Sequence, residues 1–211
     1  VGGVMVYHIF NKSIADFVIF NTDSDFNRFI STMKFYLYDQ KKSISSEIFY
    51  ADKHGEVFVP NSGGDKLINI ICYTIMPTHF HLIVDDFDDD YVSKYMNNIQ
   101  NSYTRYFNLK HKRKGPLWQS RFHRIAVQKD EYLIHLTRYI HLNPVTAFLV
   151  SKPEDWKYSS YQEYIAGEEI NCVYKKYFPE NYNFNKFYKE FVDDRIDYQR
   201  QLALIKNTII E

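Results

Sequence analysis

Apolar and polar positions change period several times along the chain. Val4–Phe10 alternates as a strand does, and Asp23 or Ser24 is placed to cap a helix running to about Tyr38, with Phe26, Phe29, Ile30, Met33, Phe35 and Leu37 as its apolar positions. Lys41–Gly64 is polar and turn-rich, with strands expected near Ile48–Tyr50 and Val57–Val59. Ile68–Met76 is a strongly apolar strand, Pro77-Thr78 a tight connection and His79–Val84 a second strand. Tyr91–Leu109 reads as a helix, Arg124–Gln128 as a strand, and a further helix runs from near Asp130 to about Leu142. Asn143-Pro144 is expected to disrupt that helix, because the residue before a proline is pushed out of the helical region.

This order predicts an α+β, ferredoxin-like (RRM-like) antiparallel sheet with helices packed on one face. Beyond it come a loop at Ser151–Ser160, a short helix from Tyr161 to Ile165, and one amphipathic terminal helix over Phe184–Ile205. The expected division is a catalytic-type domain over 1–165 and a mostly helical C-terminal extension over 166–211.

Composition narrows the class. The 211 residues include 38 aromatics (19 Tyr, 17 Phe, 2 Trp), enough apolar surface to exclude a disordered chain. No run approaches the ~18 apolar residues of a membrane span, and the first residues lack the pattern of a signal peptide. A cytoplasmic protein is therefore expected, with no membrane partner. Cys72 and Cys172 alone do not make a disulfide framework.

A net charge of zero argues against nucleic acid only until it is resolved locally. Asn101–Arg124 carries seven basic residues (Arg105, Lys110, Lys112, Arg113, Lys114, Arg121 and Arg124) and no acidic one. Trp118 and other rings are interleaved with them, the combination that neutralises phosphates and stacks unpaired bases. These eight residues are the candidate DNA-binding set; a solvated basic loop is the alternative. Asp85–Asp90, with five aspartates, reads as a solvated loop leading into a negative helix start.

Two constellations carry chemistry. In His79-Phe80-His81, strand geometry puts both imidazoles on one face, either as paired metal ligands or as strand residues satisfied by hydrogen bonds. On the helix before Asn143-Pro144, His135, Tyr139 and Asn143 recur every four residues and form one polar stripe. Asn143 is either a C-terminal cap or a ligand.

The motifs Tyr7-His8-Ile9-Phe10-Asn11, Met76-Pro-Thr-His-Phe-His-Leu-Ile-Val84, Tyr103-Thr-Arg-Tyr-Phe-Asn108, Gly115-Pro-Leu-Trp-Gln-Ser-Arg-Phe122, Arg138-Tyr-Ile-His-Leu-Asn-Pro-Val145 and Asp155-Trp-Lys-Tyr-Ser-Ser-Tyr161 occur in this order. Together the chain resembles the single-tyrosine HUH transposases, the IS200-like enzymes and more closely the REP-associated tyrosine transposases, over roughly residues 4–165. The resemblance implies that His79 and His81 bind a divalent metal, Mg²⁺ or Mn²⁺, that Asn143 completes the site, and that Tyr139 is the nucleophile. It implies nicking and rejoining of hairpin-containing single-stranded DNA through a covalent 5′-phosphotyrosine. Asn11-Lys12-Ser13 departs from the Arg-Gly pair usual in relatives, and residues beyond about 165 match no family motif. Other readings stay open: a catalytically silent, domesticated hairpin-binding module, and a hydrolase using a bound water. Both a monomer and a homodimer are compatible with the resemblance.

Overall fold

The computed structural model describes residues 5–48, 64–86, 89–128, 130–166 and 183–209. Its centre is a four-stranded antiparallel sheet made of β1 (Met5–Lys12), β2 (Ile68–Ile75), β3 (His79–Asp86) and β4 (His123–Ala126), in the order β2-β3-β1-β4. With α1 (Asp23–Phe35) between β1 and β2, and α2 (Asp89–Lys110) between β3 and β4, this is the βαββαβ ferredoxin-like arrangement.

Alternation along the central strands sends side chains into two separate cores. Tyr7 and Ile9 of β1 and Phe80, Leu82 and Val84 of β3 pack with Phe29 and Met33 of α1 and Tyr95, Ile99 and Tyr103 of α2. The opposite face is covered as well, beyond the one-faced layering expected: Val6, Ile83 and the β2 residues Ile71 and Cys72 pack with α3 (Asp130–Thr146), α4 (Tyr161–Ala166) and α5 (Phe184–Asp193). Ile71 is the extra residue of a β-bulge, since the pairing steps from Ile70–Val84 to Cys72–Ile83. Two consecutive apolar side chains therefore face the second core, which broken alternation in an all-apolar strand cannot reveal.

Several boundaries moved for identifiable reasons. The N-cap of α1 is Thr22, one residue before Asp23, the earlier of the two expected caps, and its backbone N–H donates to Asp25 Oδ2 at 3.0 Å. It stops at Phe35 because Leu37 and Tyr38 leave the helix to pair beside β2, with Leu67 N–H donating to Leu37 O and a bridge from Tyr38 to Lys66. Ile48 lies in a helical turn at 44–48; Phe49, Tyr50 and the strand expected at Val57–Val59 lie outside the described residues. Asp85 is not in a solvated loop: β3 extends through it, and it is fully buried, accepting from Asn69 Nδ2 at 2.6 Å. The single terminal helix is two, α5 and α6 (Ile196–Ile209), separated at Asp194–Arg195. Tyr188 and Val192 of α5 are fully buried in the second core.

Pro144 does not end α3, which continues to Thr146. Proline leaves the carbonyl one turn earlier without its N–H partner, and that carbonyl belongs to Ile140. Asn143 repairs the gap, its Nδ2 lying 3.4 Å from Ile140 O and 3.0 Å from Tyr139 O. The helix then closes with Phe148 in the left-handed region and Leu149 N–H donating to Pro144 O at 2.9 Å.

α5 is fastened to the domain by His141. Its Nδ1 lies 2.7 Å from Tyr188 Oη and its Nε2 2.8 Å from Ser160 Oγ and 3.3 Å from Cys72 Sγ. Burial holds its pKa down, from 6.5 to about 3. The unfolded chain binds this proton first as the pH falls below 6.5, so stability is complete above that value and declines toward pH 3. The slope is about 1.4 kcal/mol per pH unit for one such histidine. Urea melts of His141→Gln between pH 7 and 4 should show a stability-versus-pH slope shallower by about that amount; an unchanged slope contradicts the assignment.

Candidate active site

The site lies on the second face of the sheet, where β3 and β1 are neighbours. β3 presents His79 and His81 on one side and Phe80, fully buried, on the other. The two imidazoles are 5.3 Å apart, ring centre to ring centre, and nearly perpendicular. In the antiparallel register Lys12 lies opposite His79 and Phe10 opposite His81, so β1 adds His8 and Phe10 to the same face. β4 adds His123, whose ring stacks on Phe10 at 4.9 Å.

Each of the paired histidines has one nitrogen engaged. His79 Nδ1 lies 3.0 Å from Thr78 Oγ1, and His81 Nδ1 lies 3.1 Å from His8 Nε2. With the proton on Nδ1 of both rings, an arrangement these two contacts permit, each Nε2 carries a lone pair that can ligate a cation. Burial lowers all three pKa values: His8 to about 4, His81 to about 3 with the neighbouring imidazoles adding to the effect, and His79 in the same direction. The three rings are thus neutral near pH 7, the form that ligates a cation. His8 went unassigned in the sequence, although its even spacing from Phe10 already placed the two on one face.

Tyr139 comes from α3. Its ring stands edge-on to His81 at 6.2 Å between centres, and the residue is 45% exposed. Partial burial raises its phenol pKa, and nearby Tyr132 adds to that. Asn143 follows one turn later with its Nδ2 donating to the helix carbonyls of Tyr139 and Ile140, so Oδ1 is the amide atom those bonds do not use. The remaining polar members of the helix are engaged elsewhere. Arg138 lies 3.9 Å over the Phe191 ring, donates to Phe191 O and touches His135, so it fastens α5 and does not attend Tyr139.

The structure therefore brings His79, His81 and Tyr139 together and disperses the basic candidates. Lys110 is an internal tie, its ammonium 2.6 Å from the buried Asp25 carboxylate, and Arg113 donates to Asn108 Oδ1 and Pro116 O across its own turn. Trp118 is not a free stacking platform: it packs on Phe80, Phe29 and Tyr103 and donates to Gln100 O. Arg124 lies over the Tyr7 ring, on the face away from the histidines. Arg105, Lys112, Lys114 and Arg121 are exposed.

A cleft of about 360 Å³ opens beside the histidines, lined by Phe10, Lys12, Asp16, His79, His81, Gln119 and His123 among others. Buried Asn11 holds the far wall in place, donating to Ser120 O at 2.9 Å and Arg121 O at 3.1 Å and accepting from Lys12 N–H. Among the described residues no three His, Cys, Asp or Glu side chains converge to hold a metal ion, and no helix is long and apolar enough to cross a membrane.

The family model described as "Transposase IS200 like" matches residues 42–143, a segment that contains His79, His81 and Tyr139 and ends on Asn143. A solved structure described as the REP-associated tyrosine transposase bound to a REP hairpin superposes with a TM-score of 0.54 at 17% identity. The alignment covers 82% of this chain and 93% of that one, so the two share a fold. No curated protein matches the chain.

Asn11→Ala should strip the 117–122 segment of its anchor and leave buried donors and acceptors unpaired, at a cost of about 1–3 kcal/mol in urea-induced unfolding. A loss below about 0.5 kcal/mol would mean the loop is held by other contacts.

Proposed function

We propose that the chain, whose residues 42–143 match the IS200-like transposase model, nicks and rejoins hairpin-containing single-stranded DNA through Tyr139. The observation that carries the reading is the approach of the Tyr139 ring to His81, 6.2 Å away, beside a second imidazole on the same face of the strand. The hairpin substrate is suggested by the structural neighbour, which is described as bound to a REP hairpin.

His79 and His81 would hold a divalent ion, Mg²⁺ or Mn²⁺, through Nε2, with Asn143 Oδ1 as the third protein donor. The two rings stand 5.3 Å apart between centres on one face of β3, and neutral imidazole is a common ligand of such ions. When bound, the ion would offset the phosphodiester's negative charge and favour loss of the 3′ oxygen. His8 and Thr78 orient the two ligating rings by their bonds to Nδ1.

Tyr139 would attack the phosphorus in line; its Oη–P bond forms as the P–O3′ bond breaks. The products are a 5′-phosphotyrosine and a free 3′-OH, and attack by a 3′-OH reverses the step and restores the phenol. Its raised pKa means that the phenol is not ionised in the resting protein and loses its proton only as attack proceeds. Partial exposure lets the oxygen reach a strand arriving from solvent.

With labelled hairpin DNA and Mn²⁺, the wild-type chain should give a denaturation-resistant protein–DNA adduct. Tyr139→Phe should give none while binding the same DNA within about twofold; an adduct from that variant would assign the nucleophile elsewhere, with Tyr132 the next candidate, and no adduct from either protein would leave a hairpin-binding module. His8→Phe should weaken Mn²⁺ binding by about 10- to 100-fold in calorimetric titration, the usual cost of losing a group that orients a ligating histidine. Unaltered affinity would remove His8 from that role.

A further inference from the structure

The cleft beside the histidines has a recognition chemistry that strand cleavage does not itself require. Its lining includes His79 and His81 and the Phe10–His123 stack, 4.9 Å between centres and 14° from parallel. His123 is exposed, and an imidazole face is a surface on which an unpaired base can stack. The same lining holds an ion pair, Lys12 Nζ to Asp16 Oδ1 at 3.4 Å, together with Gln119.

That ion pair is held by an unusual backbone. Ala15 and Asp16 are consecutive non-glycine residues in the left-handed region, with φ of 51° and 53°. Such conformations cost free energy and persist only where the surroundings impose them. Here they do: buried Ser13 donates through Oγ to Phe17 O and through N–H to Thr78 O, and Ile14 N–H donates to Leu117 O. The strained turn carries the carboxylate of Asp16 to the cleft mouth, where it and Lys12 both act electrostatically on His79. Among the described residues Asp16 forms no metal-holding group with the two histidines.

A carboxylate accepts two hydrogen bonds side by side, and an ammonium next to it donates one. The complementary edge has two adjacent donors followed by an acceptor. Among the four DNA bases that is the Watson–Crick edge of guanine, with N2–H and N1–H on the carboxylate and O6 toward the ammonium.

We infer that this cleft is a subsite for one unpaired guanine nucleotide, stacked on His123, read by Asp16 and Lys12, and held next to the His79–His81 pair. The inference rests on the single-strand DNA reading above and names a base that the reading leaves open. Its phosphates would then lie near the histidines, which ties the choice of cleavage position to a base.

Binding without chemistry tests it separately from cleavage. Tyr139→Phe protein in EDTA is titrated by fluorescence anisotropy with octathymidylate and with octathymidylates carrying one guanine at each position in turn. At one position guanine should raise affinity roughly 5- to 100-fold, the discrimination of a good two-point base contact. Inosine at that position, which lacks the 2-amino group, should lose most of the gain. Asp16→Asn, of nearly the same shape, should collapse the guanine-to-thymine affinity ratio toward one. A ratio near one for the Asp16 protein, or an equal ratio after Asp16→Asn, would overturn the inference and leave a surface ion pair only. Absence of a Tyr139 adduct would sink the cleavage reading without touching this result.

Discussion

Everything at the site depends on β3 being buried on both faces. Its alternation sends Phe80, Leu82 and Val84 into one core and His79, His81 and Ile83 toward the other side. A slip of one residue would put two imidazoles into the α1–α2 core and Phe80 at the cleft. The core thus locks the register, and the register places the histidines. The same pairing opposes Phe10 to His81 and Lys12 to His79, so β1 brings His8, Phe10 and the strained turn after Lys12 to the same place.

The second layer of helices positions what the sheet cannot. Leu133, Leu136 and Ile140 seat α3 on Ile83 and the bulged β2, which leaves Tyr139 facing His81. His141, two residues on, faces the other way and ties α3 to Ser160, Cys72 and Tyr188. The C-terminal helix α5 therefore supports the Tyr139-bearing helix through a buried polar cluster. Arg138, clamped on Phe191, belongs to that support and not to the chemistry.

The βαββαβ order and the His-x-His face were legible because period-2 alternation and 3.6-residue spacing are local signals. The nearness of Tyr139 to His81 was legible only through family resemblance, since 58 residues separate them and no local pattern encodes that contact. What misled was chemistry supplied by distant partners. Asn143 caps the carbonyl that Pro144 strands, so the helix runs on; buried Asp85 accepts a hydrogen bond from Asn69 across the strand pair; Lys110 is drawn to Asp25 and Trp118 to the aromatic core. A basic, aromatic-rich stretch is the same in sequence whether its charges face DNA or bind their own fold. His8 was overlooked for the complementary reason, its partner lying on another strand.

The central claim is that Tyr139 is the atom source of a covalent DNA link beside the paired histidines. It is tested most directly by trapping the wild-type chain on labelled hairpin DNA with Mn²⁺, digesting both polymers and locating the nucleotide-bearing residue by tandem mass spectrometry. The account predicts a nucleotide phosphate on Tyr139 alone. A modification on another tyrosine, or cleaved DNA with no modified residue, would contradict it.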